Sequence, residues 1–225
     1  MRRLLVCGIA AAGMAVAAPS AAAAPANILA GDPAAANKDL FNPTAFSHEA
    51  GTVATLTWVA GGSHDAIANG SGPDGRPLFR SDLIGEGTTP VEGSQYVSGG
   101  SYPFFCTIHA GMTATLDVAG TPLPRPEVRV KVKSKSLAQV LRAGKIRVKL
   151  TIAGGGGEDA AVALRLGKKT ISSSGSTNRA VKTKTLGVAL TSKGRAALEK
   201  RSKATIKAEA SIEFGSPAKA KATLK

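Results

Sequence analysis

The sequence predicts an all-β protein built from two β-sandwich domains in tandem, and three observations carry that expectation. In the first half, short β-like runs such as "TVATLTWVA" (52–60), "GSYPFFC" (100–106) and "MTATLDVAG" (112–120) alternate with clusters of Gly, Pro, Asn and Asp. In the second half, "VRVKVKS", "KIRVKLTIAG", "AAVALRLG" and "ATIKAEASIEF" alternate apolar with basic or small residues at period two, the pattern of a half-buried strand. Charge divides the chain at the same place: residues 25–124 hold three Lys and Arg against nine Asp and Glu, a net of −6, whereas residues 125–225 hold 24 against six, a net of +18.

Residues 1–26 read as a secretory signal peptide. Arg2 and Arg3 precede an apolar run from Leu4 to Ala18 that is too short to span a bilayer comfortably and breaks at Pro19; small residues follow, with cleavage after Ala23 or Ala26. This predicts an exported bacterial protein: periplasmic, envelope-associated or extracellular. Cleavage removes Met1, Cys7 and Met14 and leaves Cys106 as the one cysteine and Met112 as the one methionine, beside His48, His64 and His109. A single cysteine closes no internal disulfide.

The first domain, residues 27–120, shows no long helical periodicity. Val53, Leu56 and Trp58 mark one strand, Tyr102–Cys106 another and Thr113–Val118 a third, which predicts an antiparallel sandwich or barrel. Alternation sets Tyr102, Phe104 and Cys106 on one face before the chain turns through His109, Ala110 and Gly111. "YPFFCTIHAGM" therefore gathers Cys106, His109 and Met112 at a strand end and its loop. They are either packing residues or ligands for a metal that accepts both sulfur and imidazole.

A thiolate is a soft donor, imidazole is intermediate, and a thioether binds only soft or borderline ions usefully. One cysteine, two histidines and a weak axial methionine make a copper site suited to electron transfer, whereas zinc more usually recruits several cysteines, a further histidine or a carboxylate. The loop holds one histidine; "GGSHDAI" supplies His64, on the loop that follows the strand at 52–60. Asp65 reads equally as a hydrogen-bonding support across the two ligand loops or as a plain turn former. Phe104 and Phe105 read as core aromatics that also lower the dielectric around the site. His48, in "FSHEAG", is expected to be a solvated histidine at a turn.

These segments, "YPFFCTIHAGM" followed by "TATLDV" and preceded by "TWVAGGSHDA", resemble the plastocyanin-like cupredoxins, the small blue copper proteins. The resemblance covers residues 27–120 and implies a Greek-key β-sandwich. It implies His64, Cys106, His109 and Met112 as ligands of one mononuclear type 1 copper, the thiolate and two imidazoles in the plane and Met112 axial. Two residues separate His109 from Met112, as in the short ligand loop of amicyanin. A one-electron carrier serving a redox partner protein is then expected, with His109 as the electron exit, and no enzyme. Multicopper oxidases need a histidine beside the blue-copper cysteine and paired H-x-H motifs; here Phe105 and Thr107 flank Cys106. A copper-sequestering envelope protein and a structural interaction module with this fold are the other readings.

The connector, residues 121–127, carries Pro122, Pro124 and Pro126 at alternate positions, which predicts an extended, semi-rigid polyproline segment. In the second domain, residues 128–225, "SLAQVLRAG" and "TSKGRAALEKR" read as short capped helices between strands. The pattern resembles immunoglobulin-like β-sandwich modules appended to secreted bacterial proteins. "AGGGGED" reads as a flexible hairpin loop. "LGKKT" is no phosphate loop, because Val162 stands where that motif needs glycine. Nucleic acid is not an expected partner, since Phe214 is the one aromatic after Arg125 and provides no stacking platform. What remains for the basic domain is a solvated face, or electrostatic docking to an anionic envelope polymer, a membrane surface or an acidic redox partner.

Overall fold

A computed structural model describes residues 24–155, 158–173, 175–177 and 182–225. The signal-peptide reading falls mostly on residues 1–23, outside the described residues, as do Gly156 and Gly157 of the glycine loop. The protein is all-β in class, with sheets packed as sandwiches. The first core gathers buried side chains from Ala26 to Val118 and the second from Val128 to Leu224.

Seven strands form the first unit among the described residues: β1 (Asn27–Ala30), β2 (Ala45–Glu49), β3 (Ala54–Trp58), β4 (Ile67–Ala68), β5 (Thr88–Val91), β6 (Gly100–Phe105) and β7 (Thr113–Ala119). One sheet has the order β1-β3-β5 and the facing sheet β2-β7-β6-β4. The expectation of a purely antiparallel unit needs correction, because β1 runs parallel to β3 and β2 parallel to β7. Both pairs are non-consecutive, and parallel neighbours need a crossover rather than a hairpin. The strand read at 52–60 is shorter, and its core parity is that of Ala54 and Leu56, both fully buried; Val53 faces outward at 40 % exposure. Phe104 anchors the core with its ring edge-on to Phe41 (centroids 4.9 Å apart) and Phe79 (6.1 Å).

His48 is not solvated. It lies on β2 with no exposed surface, and its Nδ1 accepts a hydrogen bond from the backbone N–H of Ala26 at 3.1 Å. The proton therefore sits on Nε2, which among the described residues has no partner at full hydrogen-bond geometry. Burial pushes the His48 pKa below its ordinary value, while backbone groups of Ser94 and Thr52 offset part of the shift. Above the unfolded-state pKa of about 6.5 His48 is neutral in both states. As pH falls below that value the unfolded chain takes up a proton that the native site resists, so stability is lost through the window down to the depressed native pKa. The metal-free protein is expected to lose more of its urea midpoint between pH 7.5 and pH 5 than His48→Gln does; equal losses in the two proteins would count against the buried neutral imidazole.

The second unit contains β8 (Glu127–Val132), α1 (Leu137–Ala143), β9 (Lys145–Ala153), β10 (Ala160–Leu166), β11 (Lys169–Thr170), β12 (Gly175–Thr177), β13 (Thr183–Ala189), α2 (Ser192–Glu199), β14 (Ala204–Ile212) and β15 (Ala218–Leu224). Its sheets have the orders β13-β9-β8 and β11-β10-β14-β15, with β12 also on β10. Both expected helices are present and capped: the Ser136 hydroxyl accepts from Gln139 N–H, and the Thr191 hydroxyl from Gly194 N–H. β15, "AKAKATL", escaped the sequence reading because alanine is a poor strand former; its pairing with β14 supplies the burial that decides it.

The proline-rich connector is held on both sides. Leu123 N–H donates to Gln95 O of the first unit at 2.9 Å, and Pro124 O accepts from Gly155 N–H of the second at 3.1 Å. Beside it the turn after β14 inserts Phe214, 2 % exposed, against the first unit. The Arg80 guanidinium lies 4.5 Å from the Phe214 ring centroid and the Tyr96 ring 6.0 Å away. Phe214 N–H donates to Asp74 Oδ2 at 3.0 Å, and Glu213 Oε1 accepts from both Arg76 (3.1 Å) and Arg80 (2.9 Å). Tyr96 and Glu158 add a hydrogen bond across the same junction. The connector thus joins two units that pack against each other and does not merely space them.

Candidate metal centre

Each proposed ligand is placed by a local device. β3 ends at Trp58, whose indole N–H donates to Gly62 O at 2.8 Å and folds the following loop back on itself. Gly61 allows this turn with φ +87; a Cβ there would stand 2.5 Å from Asp39 Oδ1. His64 then returns to extended pairing with Ile84, its N–H donating to Ile84 O at 2.7 Å. On the other side β6 ends at Phe105, and the loop closes through Cys106 N–H to Met112 O (3.0 Å) and Met112 N–H to His109 O (3.2 Å) before β7 begins.

These two loops bring three donor atoms together. His64 Nδ1 lies 3.2 Å from His109 Nδ1, His109 Nδ1 lies 3.5 Å from Cys106 Sγ, and the three atoms fall within 4.8 Å of one another. His64 Nε2 is 3.0 Å from Ala60 O, which only accepts, so the Nε2 proton is committed there and Nδ1 is left with its lone pair toward the cluster. His64 and Cys106 are buried, while His109 keeps 21 % of its side chain exposed. Met112 packs into the same buried core as Cys106.

Burial pushes the Cys106 thiol above its ordinary pKa, and the Asp65 carboxyl adds to that; the backbone N–H groups of Asp65 and Ile108 oppose it. A sulfur in this setting ionises when a cation takes the place of its proton. Buried soft sulfur beside two imidazole nitrogens is a donor set that fits a copper ion.

Asp65, left open by sequence, bridges the ligand loops. Its Oδ1 accepts from Thr107 N–H at 2.7 Å and its Oδ2 from the Thr107 hydroxyl at 2.6 Å. Because Asp65 follows His64 and Thr107 follows Cys106, the bridge ties the two ligand positions directly. Sequence reasoning missed Asp39. Its Oδ1 accepts from Gly62 N–H at 2.9 Å and lies 3.8 Å from His64 Nε2 and 3.6 Å from His109 Nε2. That backbone hydrogen bond, helped by the two imidazoles and partly offset by burial, holds its carboxyl below the usual range. Nothing in "NKDLF" distinguishes Asp39 from an ordinary turn aspartate; only the fold brings it beside residues 23 or more positions away.

Fold and cluster define an all-β protein with two hydrophobic cores and, beside the first, a largely buried Cys–His–His cluster. No family model matches the chain, and no curated protein matches it. Among solved structures it is similar to a purple cupredoxin from Nitrosopumilus maritimus, at 18 % identity over 41 % of this chain and 98 % of that one, with a TM-score of 0.33. It is also similar to a mutant of amicyanin in its reduced Cu(I) form, at 15 % identity over 46 % of this chain and 85 % of that one, TM-score 0.31. A tetra-tandem repeat from the extending region of a large adhesion protein is similar at 14 % identity over 88 % of this chain, which spans 48 % of that protein's chain, TM-score 0.32.

Proposed function

We propose that this is an exported copper protein that carries single electrons. The observation that carries the reading is the convergence of two imidazole Nδ1 atoms and one thiol sulfur, all within 4.8 Å of one another, in a largely buried cluster. His64, Cys106 and His109 would hold the ion, with Met112 as the fourth, weaker donor. Copper in such a donor set alternates between two oxidation states with little rearrangement. The chain's own part is to keep the donors fixed: Ala60 O and Asp39 hold the outer edges of the imidazoles, Asp65 ties the loops, and Phe104 belongs to the same buried core as Cys106 and Met112. His109, alone of the three donors in reaching solvent, is the route by which an electron enters or leaves. A carrier rather than a catalyst is the expectation, with a redox partner protein that meets the His109 edge.

The test is an absorption spectrum of the mature protein loaded with Cu(II), beside Cys106→Ser. An intense visible band is expected in the parent protein and its loss in the variant, together with reversible one-electron oxidation and reduction of the parent. A parent protein that binds no copper would overturn the reading. Copper binding without reversible electron exchange would leave sequestration in its place.

A further inference from the structure

The second domain's charge is organised. On the sheet β13-β9-β8, Val128, Ile146, Val148, Leu150 and Val188 point into the core. Alternation therefore turns Arg129, Lys131, Lys145, Arg147 and Lys149 to the opposite face, and Lys133, just past β8 but with its N–H still donating to Arg147 O at 2.8 Å, continues the row. Lys131 stands directly opposite Lys149, a cross-strand pair of like charges that costs stability in the absence of a counter-ion. Among the described residues the one carboxylate paired with this face is Glu127, at its end, 4.0 Å from Arg129. Where β8 leaves the sheet the face opens into a groove of about 320 Å³ lined by Lys133, Ser134, Lys135, Ser136, Lys145 and Arg147.

We infer that this face binds a linear polyanion of repeated phosphate groups that carries no bases. Cations on one face recur about every 6.6 Å along a strand and strands lie about 4.8 Å apart, so β8 and β9 present two adjacent rows about 13 Å long. An extended chain of phosphates lies along such a ladder, and the Arg129 and Arg147 guanidinium forks match phosphate oxygens. A lipid bilayer fits less well. Among the described residues the large exposed apolar side chains are Val53, Val59, Leu83, Ile108 and Leu123, all before β8, so no described side chain of this face serves as a wedge into acyl chains. Nucleic acid fits less well too, because the domain's one aromatic, Phe214, is buried at the junction and no base finds a stacking surface.

The outer face of the other sheet supplies an internal control. It also pairs like charges, Lys207 opposite Lys221, but Glu209 sits among its cations, opposite Lys219 and 3.0 Å from Arg165. Binding of long-chain inorganic polyphosphate by the intact protein is measured across salt concentrations for the parent, for Lys131→Gln/Lys149→Gln and for Lys207→Gln/Lys221→Gln. These exposed or half-exposed sites leave the fold intact, which circular dichroism checks. Expected is salt-dependent binding that weakens about tenfold in the first variant, with the log–log salt slope reduced by about 1.4, and less than twofold in the second. Equal weakening in both variants would overturn the inference in favour of diffuse charge. Phosphatidylglycerol vesicles or poly-dT bound as tightly as polyphosphate, or no binding at low salt, would overturn it as well. None of these readouts involves copper.

Discussion

Asp65→Ala is expected to unfasten the candidate metal centre without removing any of the proposed ligands. The Asp65 carboxylate, nearly buried, accepts two hydrogen bonds from Thr107, at 2.7 and 2.6 Å, and these join the residue after His64 to the residue after Cys106. Hydrogen bonds to a charged acceptor contribute about 1.5–3 kcal/mol each, and Thr107 is exposed enough for water to replace part of the loss, so about 3 kcal/mol of stability should disappear. Copper affinity should fall with it, because the free protein would then have to order the two loops as it binds. Asp65→Asn keeps an acceptor for the Thr107 N–H, and the hydroxyl can turn to accept from the new amide. Its loss should be the smaller, about 1 kcal/mol. Thermal unfolding and copper titration of both variants check the order; an alanine variant as stable and as copper-avid as the parent protein would remove Asp65 from the site's support.

Phe214→Ala should uncouple the two domains. The ring is buried between Arg80, Tyr96 and the Gly93 backbone, and truncating a buried phenylalanine costs about 3–5 kcal/mol. Each domain has its own core, so the expected signature is a single unfolding transition in the parent protein splitting into two in the variant. The backbone adds a test with an unusual sign. Phe214 has φ +57, a left-handed conformation that costs a side-chain-bearing residue about 1–2 kcal/mol and glycine almost nothing. Phe214→Gly should therefore be milder than Phe214→Ala, the reverse of the usual order. Gly93→Ala should open the same junction from the other side, since its φ is +93 and a Cβ would meet the Phe214 ring at 2.5 Å. One unchanged transition in all three variants would show that the docking does not couple the domains.

Of the candidate metal centre, the convergence of three side chains was legible because ligand chemistry restricts residue type: few purposes put cysteine, histidine and methionine at three-residue spacing with a second histidine on the loop after an early strand. The supports were less legible. Asp65 offered two roles, and the choice depended on whether the 64–66 and 106–107 segments meet. Asp39 and the Ala60 carbonyl offered no signal, since a carboxylate and a peptide oxygen occur everywhere and acquire a role only through a partner brought close by folding. His48 was misread for a related reason. Local context reports turn residues nearby, but burial depends on β2 pairing with β7 and on the distant Ala26 segment packing against His48.

Local sequence by itself determined the all-β class, the period-two strands, the division of charge between the halves and the set of soft donors, because each depends on side-chain chemistry repeating at short range. Tertiary structure decided the parallel strand pairs, the burial of His48, the Asp65 and Asp39 supports, and the docking of Phe214 against Arg80 and Gly93. Those contacts join residues far apart in the chain, and their energies come from excluding water between surfaces that no local pattern describes.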